Sequence, residues 1–359
     1  LETMSSLFGK FRGGLAISVI IVGALLAAST GIVGATVVTM GLISLPTLIK
    51  RGYDIPLATG TIAASGTLGV IIPPSILLVL LADTINSSNR GGSPVDVGLM
   101  FRAAILPGLM LVAAYIIYII IVARISPEKA PAMDDERLAS FRRPGYLKRL
   151  VKAFVLPLSL IVLVLGSIFA GIASPTEAAA VGAMGAILLT ILNRALRWDV
   201  LKSVMTQTTH LTSMVFMILF GATTFAFLFR ILGGDDLLVE TINYLQLSPY
   251  AFLLIVMIIL FIAGFFIDFI EIIFIMIPVI TPLFNQYDMD MLWVGVLIAL
   301  NLQTSFLTPP FGFSLFYLKG VAPPNVSTRQ IYRGIIPFVL IQLVLIILIV
   351  VFPGLIRII

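Results

Sequence analysis

The sequence contains no cysteine and a single histidine, His210. Without cysteine there is no disulfide framework, thiolate metal site or cysteine nucleophile, and one histidine leaves zinc sites and serine–histidine catalysis short of ligands. Charge is scarce as well, since 11% of the 359 residues are charged against about 25% in soluble domains. A soluble fold of this size needs more polar surface, so the composition excludes a soluble globular protein.

Apolar residues make up 60% of the chain, and its mean hydropathy is +1.15. A helix needs about 20 apolar residues to cross roughly 30 Å of hydrocarbon, whereas a membrane barrel would show short alternating segments. The sequence therefore predicts an all-α polytopic membrane protein. Its long apolar runs cover residues 13–48, 56–82, 103–123, 153–172, 176–192, 208–229, 251–284, 291–318 and 334–352.

Basic and acidic residues separate into different loops, and this separation indicates orientation because cytoplasmic loops are enriched in lysine and arginine. Segment 124–152 carries eight basic and four acidic residues, so we predict a cytoplasmic connector. Its charge suits anionic lipid of the bilayer, and no motif indicates a nucleic acid partner. Loops 83–98, 233–249 and 285–290 together carry seven acidic residues and one basic residue, which places them outside.

Two apolar runs break simple alternation across the bilayer. Run 13–48 has lysine and arginine on both flanks, and run 251–284 has acid-bearing loops on both flanks. Each run must enter and leave on one side, and each is too long for a single crossing. We therefore predict two re-entrant helical hairpins of opposite sense, which turn near residues 27–31 and 264–268.

A proline pair interrupts the run that follows each hairpin, and the pairs Pro73–Pro74 and Pro309–Pro310 lie 236 residues apart. Each interrupted run is followed by a further helix, so the chain reads as two inverted-topology repeats with discontinuous helices, an architecture of secondary transporters. Repeat one covers 1–123, with hairpin 13–48, broken helix 56–82 and helix 103–123. Repeat two covers 153–359, with helices 153–172, 176–192 and 208–229, hairpin 251–284, broken helix 291–318 and helix 334–352.

Proline pairs at membrane depth release backbone carbonyls from helical hydrogen bonds, and such carbonyls survive only around a polar cavity or an ion. Small hydroxyl residues crowd both interruptions, and neither interruption contains a carboxylate. Carbonyl and hydroxyl oxygens together suit a hard cation, and the lack of carboxylates favours monovalent Na⁺. Half-helix N-termini at the same depth would attract an anionic substrate. The carbonyls predicted to be free are those of Gly69, Val70, Ser305 and Phe306.

Several ordered motifs resemble the large membrane (M, DctM-like) subunit of tripartite ATP-independent periplasmic (TRAP) transporters. The resemblance runs over essentially the whole chain, although the opening helices of the family are expected to be absent here. The motifs that carry it include residues 34–41 and 57–69, Ile72-Pro73-Pro74-Ser75, Ser174-Pro175-Thr176-Glu177 and Leu307-Thr308-Pro309-Pro310-Phe311-Gly312.

The resemblance implies a transporter of the ion-transporter superfamily, not an enzyme, in the bacterial inner membrane. It implies Na⁺-coupled import of a small organic acid, such as a C4-dicarboxylate or a 2-oxo acid, by an elevator mechanism. A periplasmic binding protein would deliver the substrate, and a small four-helix membrane subunit would be the partner within the bilayer.

Carried over residue by residue, the resemblance implies two Na⁺ sites and leaves four polar residues as candidates for substrate contact. The family tip often reads Ser-Gly-Ser-Ser where this chain has Thr30-Gly31-Ile32-Val33, so backbone carbonyls are expected to do more of the ligation. Site one comprises Thr30, Gly31, Ser65, Gly66 and Thr67; site two comprises Gly264, Asp268, Ser305 and Thr308; the substrate candidates are Thr36, Ser75, Asn301 and Thr304.

Two alternatives stay open at the level of sequence. A stand-alone Na⁺/anion symporter of the same superfamily would share the hairpins and breaks but need no binding protein. An intramembrane enzyme is more remote, because Gly52-Tyr53-Asp54 only faintly resembles an intramembrane aspartyl protease and no second Gly-x-Gly-Asp motif follows.

Overall fold

A computed structural model describes residues 11–89, 93–132 and 146–357, and these ranges are helical without a strand. Residues 1–10 of predicted repeat one and 133–145 of the predicted connector lie outside the described residues. The α-helices are α1 (Gly14–Thr30), α2 (Val33–Lys50), α3 (Ile55–Thr67), α4 (Ile76–Ser88), α5 (Val97–Ile125), α6 (Tyr146–Phe169), α7 (Pro175–Leu192), α8 (Trp198–Ile231), α9 (Gly234–Leu245), α10 (Pro249–Ala263), α11 (Phe269–Gln286), α12 (Met291–Leu307), α13 (Phe313–Val321) and α14 (Thr328–Val351).

Both predicted hairpins are present as pairs of consecutive helices. Hairpin one consists of α1 and α2, which are separated only by Gly31 and Ile32. Gly31 ends α1 in the left-handed conformation, at φ +64°, and its N–H donates to the Ala27 carbonyl at 2.8 Å. Glycine reaches this conformation at little cost, which explains why the chain reverses here. Hairpin two consists of α10 and α11, separated by residues 264–268.

Both predicted helix interruptions are present as well. The first break, residues 68–75, begins with a 3₁₀ turn over Leu68–Val70 between α3 and α4. The second break, residues 308–312, separates α12 from α13. Proline has no N–H and restricts the preceding residue to extended conformations, so neither helix can continue through its proline pair. The Pro73–Pro74 and Pro309–Pro310 peptide bonds are both cis.

Within the described ranges, six helices have the length and apolar composition needed to cross a membrane, namely α2, α5, α7, α8, α11 and α14. The apolar helices α1, α3, α4, α10 and α12 are shorter, as expected of hairpin arms and half-helices. The all-α polytopic class predicted from composition is therefore confirmed.

The predicted outer loop 233–249 is wrong in detail, because it contains helix α9. Charge separates the two sides of a membrane but does not distinguish a loop from an amphipathic surface helix. Asp236 and Glu240 lie on the exposed face of α9, and Ile242 is buried. The predicted run 208–229 is also too short, since α8 begins at Trp198.

The chain forms two compact units, each assembled from separated stretches. The first comprises Leu1–Leu78, Phe101–Ser159 and Ala299–Ile359, and the second comprises Val79–Met100 and Leu160–Ile298. The unit boundaries fall within α4, α5, α6 and α12 and do not follow the predicted repeats, whose division stays a prediction.

Helix α3 is the centre of the first unit, where it packs against α1, α2 and α14. The backbones of α3 and α14 touch where Gly60 meets the Gly334 carbonyl and Gly334 meets the Pro56 carbonyl, so there is no room for a side chain at either glycine. In the second unit α8 packs against α11. The rings of Phe252 and Phe284, 4.9 Å apart, join α10 to α11 in that unit.

Candidate functional site

The first break lies along one face of α1. This face presents small residues four positions apart, Gly23, Ala27 and Gly31, which therefore line up on the helix. A Cβ on Gly23 would lie 2.5 Å from the Ser65 hydroxyl oxygen, and one on Gly31 would lie 3.0 Å from Ile76. Between these two points, Gly69 lies directly against the Ala27 carbonyl. Hairpin one and the first break are thus packed together over two helical turns.

The second arm of hairpin one connects the two breaks within the first unit. On one side of α2, a Cβ on Gly66 would lie 3.2 Å from the Val37 backbone nitrogen. On another side α2 packs against α13, where a Cβ on Gly34 would lie 2.8 Å from the Tyr317 ring. Helix α2 therefore lies between the first break and the half-helix that leaves the second break.

Predicted site one is distributed along this packed surface. Thr30 and Gly31 lie at the hairpin tip, whereas Ser65 faces Gly23, eight residues or roughly 12 Å back along α1. Gly66 faces α2 at Val37, close in sequence to the buried Thr36. Hairpin one and the first break are therefore in contact, as predicted, but the predicted site residues are spread along α1 and do not meet at a single point.

The hydroxyl groups of this region are oriented by their own helices. Ser65 donates to the Ile62 carbonyl at 3.0 Å, and Thr67 donates to the Ala64 carbonyl at 2.9 Å. Both side chains are fully buried. A hydroxyl has one proton and two lone pairs, so each oxygen keeps acceptor capacity that a cation could use.

Two hydroxyls meet at the tip of hairpin one. The Thr30 and Thr36 oxygens lie 2.8 Å apart, and Thr36 donates to the Ile32 carbonyl at 3.1 Å. Thr30 also reaches the Ala27 carbonyl at 3.5 Å, so each hydroxyl has a carbonyl partner and either one can donate to the other. The tip is therefore held by side chains as well as by the Gly31 turn.

A serine hydroxyl closes each break, which corrects part of the predicted oxygen cage. Ser75 donates to the Val70 carbonyl, and Ser314 donates to the Phe306 carbonyl, both at 2.7 Å. Val70 and Phe306 each lie four residues before the second proline of a pair, so these are carbonyls that proline releases. The prediction that they are free was wrong, because a nearby hydroxyl replaces the missing N–H.

Ser75, which was predicted to contact substrate, makes a second structural hydrogen bond. Its oxygen accepts the Leu78 N–H at 3.4 Å and so caps the start of α4. Ser314 was not singled out from the sequence. The signal that could have found it is a serine shortly after a proline pair, but its separation from the pair differs between the two breaks.

The last two turns of α12, next to the second break, carry several polar residues. Those that precede Thr308 in the sequence are all buried. Thr304 donates to the Leu300 carbonyl, and Thr308 donates to the Thr304 carbonyl, both at 2.7 Å. Asn301 and Ser305 are also buried. The Thr304 and Thr308 hydroxyls donate to backbone carbonyls of α12 and keep acceptor capacity.

The remaining members of predicted site two belong to hairpin two in the second unit. Gly264 follows the last residue of α10, and Asp268 caps α11 by accepting the Phe269 N–H at 2.7 Å. Ser305 and Thr308 belong to the first unit. Site two stays a prediction.

Sequence reasoning missed Gln303. Its side chain is fully buried, and within the described ranges neither its amide oxygen nor its amide nitrogen has a hydrogen-bond partner. Burying an amide without partners is costly, so such a group is a candidate for ligand contact. The available signal was an amide side chain at membrane depth, in the polar stretch that precedes the second proline pair.

Comparison with known proteins agrees with the motif resemblance. The family model described as the tripartite ATP-independent periplasmic transporter, DctM component, matches residues 1–355. The C4-dicarboxylate TRAP transporter large permease protein DctM of Pseudomonas aeruginosa is 32% identical over 359 residues, which cover 99% of this chain and 79% of that protein.

A second relative and a solved structure extend the comparison. The ectoine TRAP transporter large permease protein TeaC of Halomonas elongata is 28% identical and is matched over 98% of this chain and 79% of its own length. The crystal structure of the Alcanivorax borkumensis YdaH transporter superposes with a TM-score of 0.55 at 15% identity, over 98% of this chain and 87% of that chain. That likeness shows a shared fold.

Proposed function

Since this chain belongs to the DctM family of tripartite ATP-independent periplasmic transporters, we propose that it imports a small organic carboxylate together with Na⁺. The family makes it a large permease of a TRAP transporter, a multi-pass protein of the inner membrane and not an enzyme. The coupling ion, the substrate class and the elevator motion are the proposed parts.

The packing of hairpin one against the first break is the observation that carries Na⁺ coupling. Buried hydroxyl oxygens of Ser65 and Thr67 lie in this region and have lone pairs that helical hydrogen bonds do not use. Neutral oxygens without carboxylates favour a monovalent hard cation over a divalent one. Thr30, Gly31, Ser65, Gly66 and Thr67 are proposed for the first Na⁺ site, and Gly264, Asp268, Ser305 and Thr308 for the second.

We propose a small carboxylate as the substrate because the half-helices α4 and α13 begin beside hairpin one. Helix N-termini attract anions, and α13 begins at Gly312 without a side-chain cap. The buried Gln303 amide adds a donor for a carboxylate oxygen. The two relatives are named for a C4-dicarboxylate and for ectoine, so we propose the class and not one compound.

We propose two protein partners, a periplasmic binding protein and a small membrane subunit, on the basis of family membership. A stand-alone symporter would transport free substrate without either. Family membership favours the tripartite arrangement over this alternative.

Reconstitution in liposomes tests these proposals. The complete permease with its small subunit should take up a labelled dicarboxylate only with an inward Na⁺ gradient and the binding protein. Uptake at the same rate with and without the Na⁺ gradient would contradict the proposal of Na⁺ coupling. Full uptake of free substrate without the binding protein would support the stand-alone symporter instead. Replacing Na⁺ by K⁺ at equal ionic strength is the matched control.

A further inference from the structure

A groove of about 770 Å³ runs between the start of α1 and the end of α5 in the first unit. Two pairs of isoleucines, each pair four residues apart and so on one face of its helix, form its walls. They are Ile17 and Ile21 on α1, with Ile116 and Ile120 on α5.

Two arginines lie at one end of this groove. Arg12 precedes α1 and Arg124 ends the apolar part of α5, and both side chains are exposed. The two helices run in opposite directions here, so their isoleucines lead away from the same charged end. The described residues that line the groove include no carboxylate.

The charged end is held in place by backbone contacts. Gly13, next to Arg12, donates its N–H to the Ala130 carbonyl at 2.9 Å. A Cβ on Gly13 would lie 3.0 Å from Ile119 and 3.2 Å from Ala123, so α1 and α5 approach closely at this point. The fold therefore holds the backbones at Arg12 and Arg124 close to each other.

We propose that the groove binds one anionic phospholipid of the cytoplasmic leaflet. The headgroup phosphate lies at Arg12 and Arg124, and an acyl chain lies along the four isoleucines. Guanidinium groups match phosphate oxygens, and basic pockets between membrane helices on the cytoplasmic side bind anionic headgroups. A soluble anion would gain nothing from the apolar walls, and a zwitterionic lipid would gain little from two arginines. The proposal does not depend on Na⁺ coupling or on the substrate.

Native mass spectrometry of the complete, delipidated permease tests the charged end. Phosphatidylglycerol and phosphatidylcholine with identical chains are titrated separately, and one phosphatidylglycerol should bind with clear preference. The double variant Arg12→Gln/Arg124→Gln should weaken that binding about twentyfold or more, at roughly fivefold per cation. Arg329→Gln, an exposed cation outside the groove, is the control and should leave the affinity unchanged.

A second pair of variants tests the apolar walls independently of charge. Ile120→Trp should fill the groove and reduce bound phosphatidylglycerol at least fivefold. Ile117→Trp on the neighbouring exposed face of α5 should not. Both substitutions lie on a lipid-exposed surface, so circular dichroism should show unchanged helix content.

Equal affinity for the two lipids, or unchanged phosphatidylglycerol binding in the double arginine variant, would overturn the proposal. So would full binding in Ile120→Trp, because the acyl chain would then lie elsewhere. Loss of binding in Ile120→Trp with no headgroup preference would indicate a general apolar groove and would also contradict an anionic lipid site.

Discussion

The two interrupted helices meet the same backbone problem in different surroundings. In each, a serine donates at 2.7 Å to the carbonyl four residues before the second proline. The first break is buried or half-buried throughout, against hairpin one. In the second break Pro310 and Phe311 are exposed, and the Pro310 carbonyl accepts the Tyr332 hydroxyl at 2.8 Å.

The comparison separates two ways of stabilising an irregular backbone inside a membrane protein. Both breaks share the serine hydrogen bond. Close packing against hairpin one also holds the first break, whereas a further hydrogen bond from Tyr332 holds the second. Substitutions that add a side chain should therefore destabilise the protein most at the first break. Removal of a hydroxyl should destabilise it more when that hydroxyl makes more hydrogen bonds.

The largest effect is expected for Gly69→Ala. The new methyl group would overlap the Ala27 carbonyl of α1, and overpacking of this kind costs about 1–3 kcal/mol. The apparent melting temperature should fall by roughly 1–4 °C, with most Na⁺-driven uptake lost, as measured by fluorescence-detected unfolding and liposome transport. Gly312→Ala would meet the backbone of Phe306 and Thr308 at the longer distances of 2.7 to 3.0 Å, beside the exposed Pro310 and Phe311, and should cost less.

Gly166→Ala is the matched control for this pair, because nothing lies within 4 Å of its new methyl group. A Gly69→Ala variant as stable and active as Gly166→Ala would contradict the packing account of the first break.

Thr67→Val should raise the Na⁺ concentration for half-maximal uptake about tenfold, the effect of losing one oxygen ligand to a charged group. The substitution keeps the volume and removes the hydroxyl. Ser305→Ala and Asp268→Asn test predicted site two in the same assay. Both should also raise the Na⁺ concentration for half-maximal uptake. Unchanged Na⁺ dependence in all three variants would remove these residues from the ion sites.

Ser75→Ala should destabilise the protein more than Ser314→Ala. Ser75 both closes the first break and caps α4, whereas the hydrogen bond from Ser314 to the Phe306 carbonyl serves the second break alone. We expect losses of about 2–3 and 1–2 kcal/mol, respectively. The melting temperatures of both variants check this order, with Ser159→Ala, at an exposed serine, as the control. A larger loss of stability in Ser314→Ala than in Ser75→Ala would contradict the account.

The smallest effect on stability is expected for Gln303→Leu, and its sign is informative. Removing a buried amide without partners should leave the melting temperature unchanged or raise it by a few degrees. If the amide contacts the carboxylate, as we propose, the KM for uptake should rise at the same time. Unchanged KM would show that Gln303 does not contact substrate.

The hairpins and breaks could be predicted because each leaves a strong local mark on the sequence. Charges of one kind on both flanks identified the hairpins, and proline pairs identified the breaks. Gly31, near the centre of the first run, marked the reversal that the left-handed turn requires.

The details that could not be predicted depend on three-dimensional placement. Ser75 is the residue directly after its proline pair, whereas Ser314 lies four residues after Pro310. No fixed spacing therefore identifies the hydroxyl that closes a break. Likewise, the spread of Ser65 and Gly31 along α1 follows from how α3 packs on the hairpin. The acidic loop before α10 concealed helix α9, because its acids indicate a side of the membrane and not a backbone conformation.

Direct binding of radiolabelled Na⁺ to the purified permease tests the central claim, that hairpin one and the first break hold a coupling ion. The parent protein should bind Na⁺ saturably, and Thr67→Val should bind it about tenfold more weakly. Thr190→Val, whose hydroxyl bonds its own helix in α7, should match the parent. Equal Na⁺ affinity in Thr67→Val and the parent would contradict the claim.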